Sequence, residues 1–314
     1  MDDPNSESNS KGLPYHVPVL LKEAIEGLKV KPKGVYVDCT FGGGGHSKAI
    51  LDLLSTEGRL AVFDQDEDAR KNLPNDERAI FIPQNFRHIS RFLRLHGIKT
   101  VDGIIADLGV SSHQFDETSR GFSIMRNAEL DMRMDQRQKL TAFDVINTYS
   151  EGELHKIFEQ FGEVTNSKTL AKTIVENRRS VSIRTIDSFK SAIREMVKGN
   201  PNKYFAQVFQ ALRIEVNDEL TVLKEMLQQL PALLAPGGRV SVITFHSLED
   251  RLVKKFFRSG RFDEEEQNPF ANREVLKVLK VITKKPITPS AKEIKLNPRA
   301  RSAKLRVAEK VSMI

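Results

Sequence analysis

The sequence predicts an α/β protein: a doubly wound, largely parallel sheet into which an all-helical domain is inserted. Three features predict it. Short β-rich runs alternate with helical patterns from Gly34 onward, the order that places helices on both faces of parallel strands. The first run passes directly into four glycines, Gly42 to Gly45. Residues 108 to 218 then separate the fourth run from the helix leading into the fifth, too long a stretch to be structureless inside a compact domain.

The strands are expected at Val35 to Asp38, Arg59 to Asp64, Ala79 to Ile82, Gly103 to Asp107 and Arg239 to Phe245. Helices Ser47 to Leu54, Glu67 to Leu73 and Ile89 to His96 connect the first four as right-handed crossovers. Between strands four and five, apolar residues recur at helical spacing in Glu153 to Phe161, Lys168 to Asn177, Ile186 to Val197 and Phe205 to Val216. Ser150 with Glu153 fits a capping box. An inserted helical domain is therefore expected over 115–203, with the sheet domain formed by 13–114 and 204–314. Helix Glu219 to Leu234 leads through Ala235-Pro-Gly-Gly238 into the fifth strand, and Val275 to Ile282 and Ala303 to Ala308 read as two antiparallel strands. The polar stretch over 1–12 reads as a disordered tail rather than a signal peptide.

Composition narrows the function. No apolar run approaches the roughly 20 residues of a membrane-spanning helix, so a cytoplasmic protein is expected. Cys39 is the single cysteine, which excludes an intramolecular disulfide and a cysteine-based zinc site. His16, His46 and His246 lack the spacing of a metal motif, and no metal is expected. Net charge is +7, and residues 273 to 310 hold twelve Lys or Arg against three Glu, a segment suited to a polyanion.

A glycine-rich turn after the first strand lets the backbone approach a ligand where open α/β sheets bind theirs. The turn lacks the lysine of a nucleotide-triphosphate loop, since Ser47 precedes Lys48. Asp38, just before it, would repel a pyrophosphate but suits the ammonium of a methionine moiety, favouring S-adenosylmethionine (SAM) over a nicotinamide dinucleotide. Asp64 closes the second strand, where an acid can accept from ribose hydroxyls. The fourth strand ends in Asp107-Leu-Gly-Val-Ser-Ser112, bringing Asp107 and Ser111 to the same edge. The fifth ends in Thr244-Phe-His-Ser-Leu-Glu-Asp-Arg251, where a flipped base can stack and His246 can join the reacting site or simply start a helix.

These motifs, with His16-Val-Pro-Val-Leu20, Arg120-Gly-Phe-Ser-Ile-Met125, Leu130-Asp-Met-Arg-Met-Asp135, Phe209-Gln-Ala-Leu-Arg-Ile-Glu-Val-Asn217 and Asn297-Pro-Arg-Ala-Arg-Ser302, closely resemble the ribosomal RNA small subunit methyltransferase H (MraW) family. The resemblance covers nearly the whole chain. It implies a Rossmann-like, SAM-dependent enzyme that methylates N4 of a decoding-centre cytosine of 16S rRNA in the 30S subunit, with the helical insertion recognising substrate. It further implies cofactor contacts at Gly44, Gly45, His46, Asp64, Phe86, Asp107 and Gln114. Pro201-Asn-Lys-Tyr-Phe-Ala-Gln207 departs from the family pattern at a substrate junction.

For the reaction, Asp107 or Ser111 is expected to accept an N4 hydrogen and orient the amine, with His246 as a further catalytic candidate. Arg178, Arg179, Arg184, Arg194, Lys198 and the basic C-terminal segment are expected to grip the RNA backbone. A nicotinamide oxidoreductase and a SAM-sensing, non-catalytic RNA-binding factor are the competing classes.

Overall fold

The computed structural model describes residues 18–262 and 278–311. The expected tail, the His16 end of the first motif and the Val275 to Lys277 part of the expected C-terminal strand lie outside the described residues.

Seven strands form one sheet in the order β3-β2-β1-β4-β5-β7-β6. They are β1 Val35–Asp38, β2 Arg59–Phe63, β3 Ala79–Ile82, β4 Val101–Asp107, β5 Leu234–Thr244, β6 Leu279–Val281 and β7 Lys304–Lys310. The first five run parallel. β7 is antiparallel to both β5 and β6, so the two C-terminal strands do pair as expected, with β7 inserted next to β5. Ala235 to Gly238 belong to β5 rather than to a preceding turn. The register jumps from Val101 opposite Leu234 to Gly103 opposite Arg239, so the Pro-Gly-Gly segment makes an excursion that the strand then resumes.

Side-chain alternation along the strands feeds two cores. Val37, Ala61, Phe63, Ile104 and Ala106 pack with Leu223, Met226, Leu227 and Leu230 of helix Glu219–Leu233. Tyr36, Leu60, Val62 and Ile105 pack on the other side with Ala24, Leu28 and Ile50. Strands buried on both faces read as continuous apolar runs, which is why they were visible in the sequence.

A third core belongs to the helices after β4: Leu154, Phe158, Leu170, Ile174, Phe189, Val208 and Leu212 are all fully buried in it. Capping boxes at Thr141, Ser150 and Thr185 start three of these helices. Helix Pro201–Asn217 runs unbroken across residue 203, and its Phe209, Leu212 and Val216 lie in the helical core. Helical packing thus continues to Asn217, past the 203 boundary, because one continuous helix serves it. Asp218, in the left-handed conformation (φ 51°), turns the chain into the next helix. Among the described residues, no helix is long and apolar enough to cross a membrane.

Candidate active site

The C-terminal ends of β1, β2, β4 and β5 open into a cavity of about 460 Å³, within the range of small-molecule sites. Beside it lies a second, more apolar cavity of about 370 Å³. The two share Leu108, Gly109, Val110, Phe245 and Arg299, so the strand-end segments after β4 and β5 form the wall between them.

The first cavity begins at the glycine turn. Gly44 caps helix Gly45–Leu51 with φ +74°, and a Cβ there would sit 3.0 Å from the Phe41 ring. At Gly45 a Cβ would lie 2.1 Å from Pro18 Cγ. Both positions require glycine for the turn's own geometry. Gly42, Gly43, Gly45 and His46 line the cavity, and Gly44 sits between them as the helix cap.

Asp38 lies behind the turn. It is 2% exposed and absent from the cavity lining. One oxygen accepts from the Ser47 hydroxyl at 2.6 Å, and the other from the Thr40 N–H at 3.0 Å. These two hydrogen bonds tie the carboxylate to the turn and to the following helix. Burial raises its pKa, against the opposing hydrogen bonds from Ser47 and Thr40.

Asp64 does face the cavity. Its Oδ2 accepts from the Gly42 N–H and its Oδ1 from the Asp66 N–H, both at 2.8 Å, leaving lone pairs on each oxygen. Burial raises it to about 6, despite those two amides. Asp66 is buried and receives Gln114 Nε2 and Arg120 Nη1, each at 2.9 Å. Gln114 and Phe86 both line the cavity.

Asp107, at the end of β4, is the least satisfied polar group of the site. Its backbone N–H donates to Thr40 Oγ1 at 2.7 Å, stitching β4 to the glycine turn. Its carboxyl is 24% exposed, yet Oδ1 is enclosed and has no hydrogen-bond partner. Burial, then the Asp38 and Glu249 carboxylates, push it well above the usual range. His46 Nδ1 lies 3.8 Å from Oδ2. With Nε2 against the Val19 carbonyl at 3.1 Å, that ring nitrogen donates and Nδ1 keeps its lone pair toward Asp107; burial lowers the imidazole pKa and keeps it neutral.

Ser111 lines the cavity, but its hydroxyl accepts from the Gln114 N–H at 3.2 Å while Gln114 Oε1 accepts from the Ser111 N–H. A helix cap holds it in place. His246 likewise caps helix Ser247–Ser259 through Glu249. It lines the second cavity, whereas Asp107 and Ser111 line the first, and Phe245 lines both.

The sequence reading missed the polar lining of the second cavity. Gln210 and Arg213, one helical turn apart, face Phe115, Phe122 and Phe209 there. Two polar residues at three-residue spacing inside the otherwise apolar run Val208 to Ile214 were the signal that could have found them. Arg213 donates from Nε and Nη2 to Glu219 at 2.8 and 2.9 Å. Glu219, His246 and Glu249 bring three metal-type donor atoms within 4.8 Å of one another. Burial alone would lower the Arg213 pKa, but Glu219 and Glu249 raise it, so an arginine already balances both carboxylates there. Cys39 is buried beside the first cavity, and burial pushes its thiol well above the ordinary value, the opposite of an activated nucleophile.

A family profile described as the MraW methylase family matches residues 14–311. Proteins named ribosomal RNA small subunit methyltransferase H are similar throughout. That of Flavobacterium johnsoniae is 54% identical over 299 residues, covering 95% of this chain and 98% of its own. Those of Christiangramia forsetii and Bacteroides thetaiotaomicron are 52% and 50% identical, each over 95% of this chain and 98% of theirs.

Proposed function

The chain belongs to the MraW methylase family, and from that premise we propose that it transfers a methyl group from SAM to the N4 amine of a decoding-centre cytosine of the 16S rRNA of the small ribosomal subunit, in the cytoplasm. SAM-dependent methylation of small-subunit ribosomal RNA follows from the family and from relatives that match nearly end to end. The observation that supports the finer reading is the pair of cavities with one shared wall, flanked by Asp107.

The first cavity's donors and acceptors suit SAM. Asp64 keeps lone pairs for ribose hydroxyls, Phe86 offers an apolar face, and the partly exposed Asp107 carboxyl lies in the lining. SAM supplies a methyl group on a sulfonium, which an amine displaces without a metal or redox partner. The second cavity, lined by Phe115, Phe122 and Phe245, suits a base turned out of its stack.

The N4 lone pair is delocalised into the ring, so the protein's task is to orient the amine and favour a pyramidal nitrogen. Asp107 accepts one N4 hydrogen at the edge of the shared wall and takes the proton as the new N–C bond forms. His46 Nδ1 stands behind it to share that proton. Holding the two reactants in line supplies roughly 7–11 kcal/mol of the barrier reduction in well-oriented systems. Ring C5 methylation would call for a thiolate nucleophile, and Cys39 is a buried thiol at the cofactor turn.

The test is incubation with radiolabelled SAM and 30S subunits lacking the modification, followed by mass spectrometry of the labelled nucleoside. N4-methylcytidine is the expected product. Absence of label despite measured SAM binding would leave a cofactor-sensing RNA-binding factor as the better reading.

A further inference from the structure

We infer that Arg213 is the residue that reads the target base, donating from its guanidinium to the N3 and O2 edge of the cytosine. The inference rests on the proposed function, in which the base occupies the second cavity. Arg213 lines that cavity, and its ion-pair partner Glu219 lines the first. The Arg213–Glu219 pair therefore spans from one cavity to the other.

A guanidinium has five N–H groups. Nε and Nη2 are engaged by Glu219. No hydrogen bond from Nη1 to any described residue is formed, and that nitrogen is not sealed from the cavity, since the side chain is 19% exposed and Nη1 is not fully enclosed. A donor is thus presented beside an apolar space by a helix that holds it rigidly.

The chemistry of the base selects the same place. N3 is the ring neighbour of the carbon carrying the amine. If N4 meets the methyl group at the shared wall, whatever reads N3 must stand beside that wall. Cytosine presents acceptors at N3 and O2, which paired guanidinium donors match. Uracil carries a hydrogen at N3 and would set donor against donor, leaving a buried polar group unpaired, the kind of mismatch that discriminates strongly. Glu219, accepting from Nε and Nη2, fixes the guanidinium plane, so the fork is oriented before the base arrives.

The experiment uses 30S subunits reconstituted with 16S rRNA carrying either cytidine or 3-deazacytidine, whose N3 is a C–H, at the target position. Single-turnover methylation by the wild-type protein is expected to fall by about ten- to a hundredfold on the deaza substrate. In Arg213→Met the cytidine rate should fall, while the ratio between the two substrates collapses toward one. Should the single variant fail to fold, Arg213→Met combined with Glu219→Gln removes the charge from both partners, and SAM binding by calorimetry reports whether it is native. An undiminished wild-type rate on the deaza substrate overturns the proposal without any variant. So does a variant that retains the full wild-type ratio. If the wild-type protein leaves even the cytidine substrate unmethylated, it is the underlying functional reading that fails.

Discussion

Asp107 shows how much one carboxyl can depend on its surroundings. An oxygen enclosed without a donor, with two further carboxylates nearby, makes ionisation costly. A group that must be ionised to accept an N4 hydrogen then gives a rate that climbs with pH through a window above the ordinary carboxylate range. Asp107→Ala should lower single-turnover methylation at saturating SAM by about a hundredfold or more and flatten that climb; a retained slope would assign the titration elsewhere. Asp64 makes a separate prediction. Its pKa of about 6 means the ionised acceptor is lost as pH falls through that value, so the SAM dissociation constant should rise below pH 6. Asp64→Asn should abolish this dependence in calorimetric titrations. The stability linkage has the opposite sense to that of a salt-bridged carboxylate. A folded-state pKa above the ordinary 3.8 gives stability that is present at low pH and lost as pH rises through about 6.

At the scale of elements, what matters is how the helical segment after β4 is fastened to the cofactor loop after β2. Arg120 and Asp66 form an ion pair whose side chains are each 6% exposed. Arg120 Nη2 also donates to the carbonyls of Arg133 and Met134, and the Asp66 N–H orients Asp64. The Arg-Gly motif therefore supports Asp64, the proposed ribose acceptor, from a distance. Arg120→Met leaves a buried carboxylate unpaired and should cost roughly 3–5 kcal/mol in urea unfolding. It should also weaken SAM binding more than it changes the rate at saturating cofactor. A loss confined to stability, with unchanged affinity, would restrict Arg120 to packing. The expected strands and most helices were legible because their apolar periodicity is local. The capping roles of Ser111 and His246 were open alternatives in the sequence, since a hydroxyl or imidazole at a strand end serves a cap or a reaction equally well until its partner is known.

Across the whole molecule, the charge of +7 favours an RNA partner, and the structure separates the basic residues offered for that role. Arg178 donates to the Ile146 carbonyl at 2.8 Å, so it serves the helical core. Arg179 is exposed, and Arg184 is exposed and stacks on Phe143. Reversing charge at Arg179 and Arg184 should weaken RNA binding and reduce the salt slope by about 0.7–0.9 for each phosphate no longer neutralised, leaving SAM affinity intact. An unchanged slope would make them ordinary solvated cations. Reversal at Arg178 should reduce stability as well.

By itself the sequence determined the parallel sheet, the helical segment within it, the glycine turn and the family, because periodicity, turn residues and long motifs are written in consecutive positions. Only the tertiary structure decided which polar groups line the cavities. Asp38 and Asp64 both close strands before a turn, yet one is consumed by Ser47 and Thr40 and the other opens to the cavity. Arg213 and Glu219 lie on successive helices joined at Asp218, and their ion pair, spanning from one cavity to the other, exists only once those helices pack. Which lone pair or N–H remains unspent depends on neighbours distant in the chain, and no local pattern encodes it.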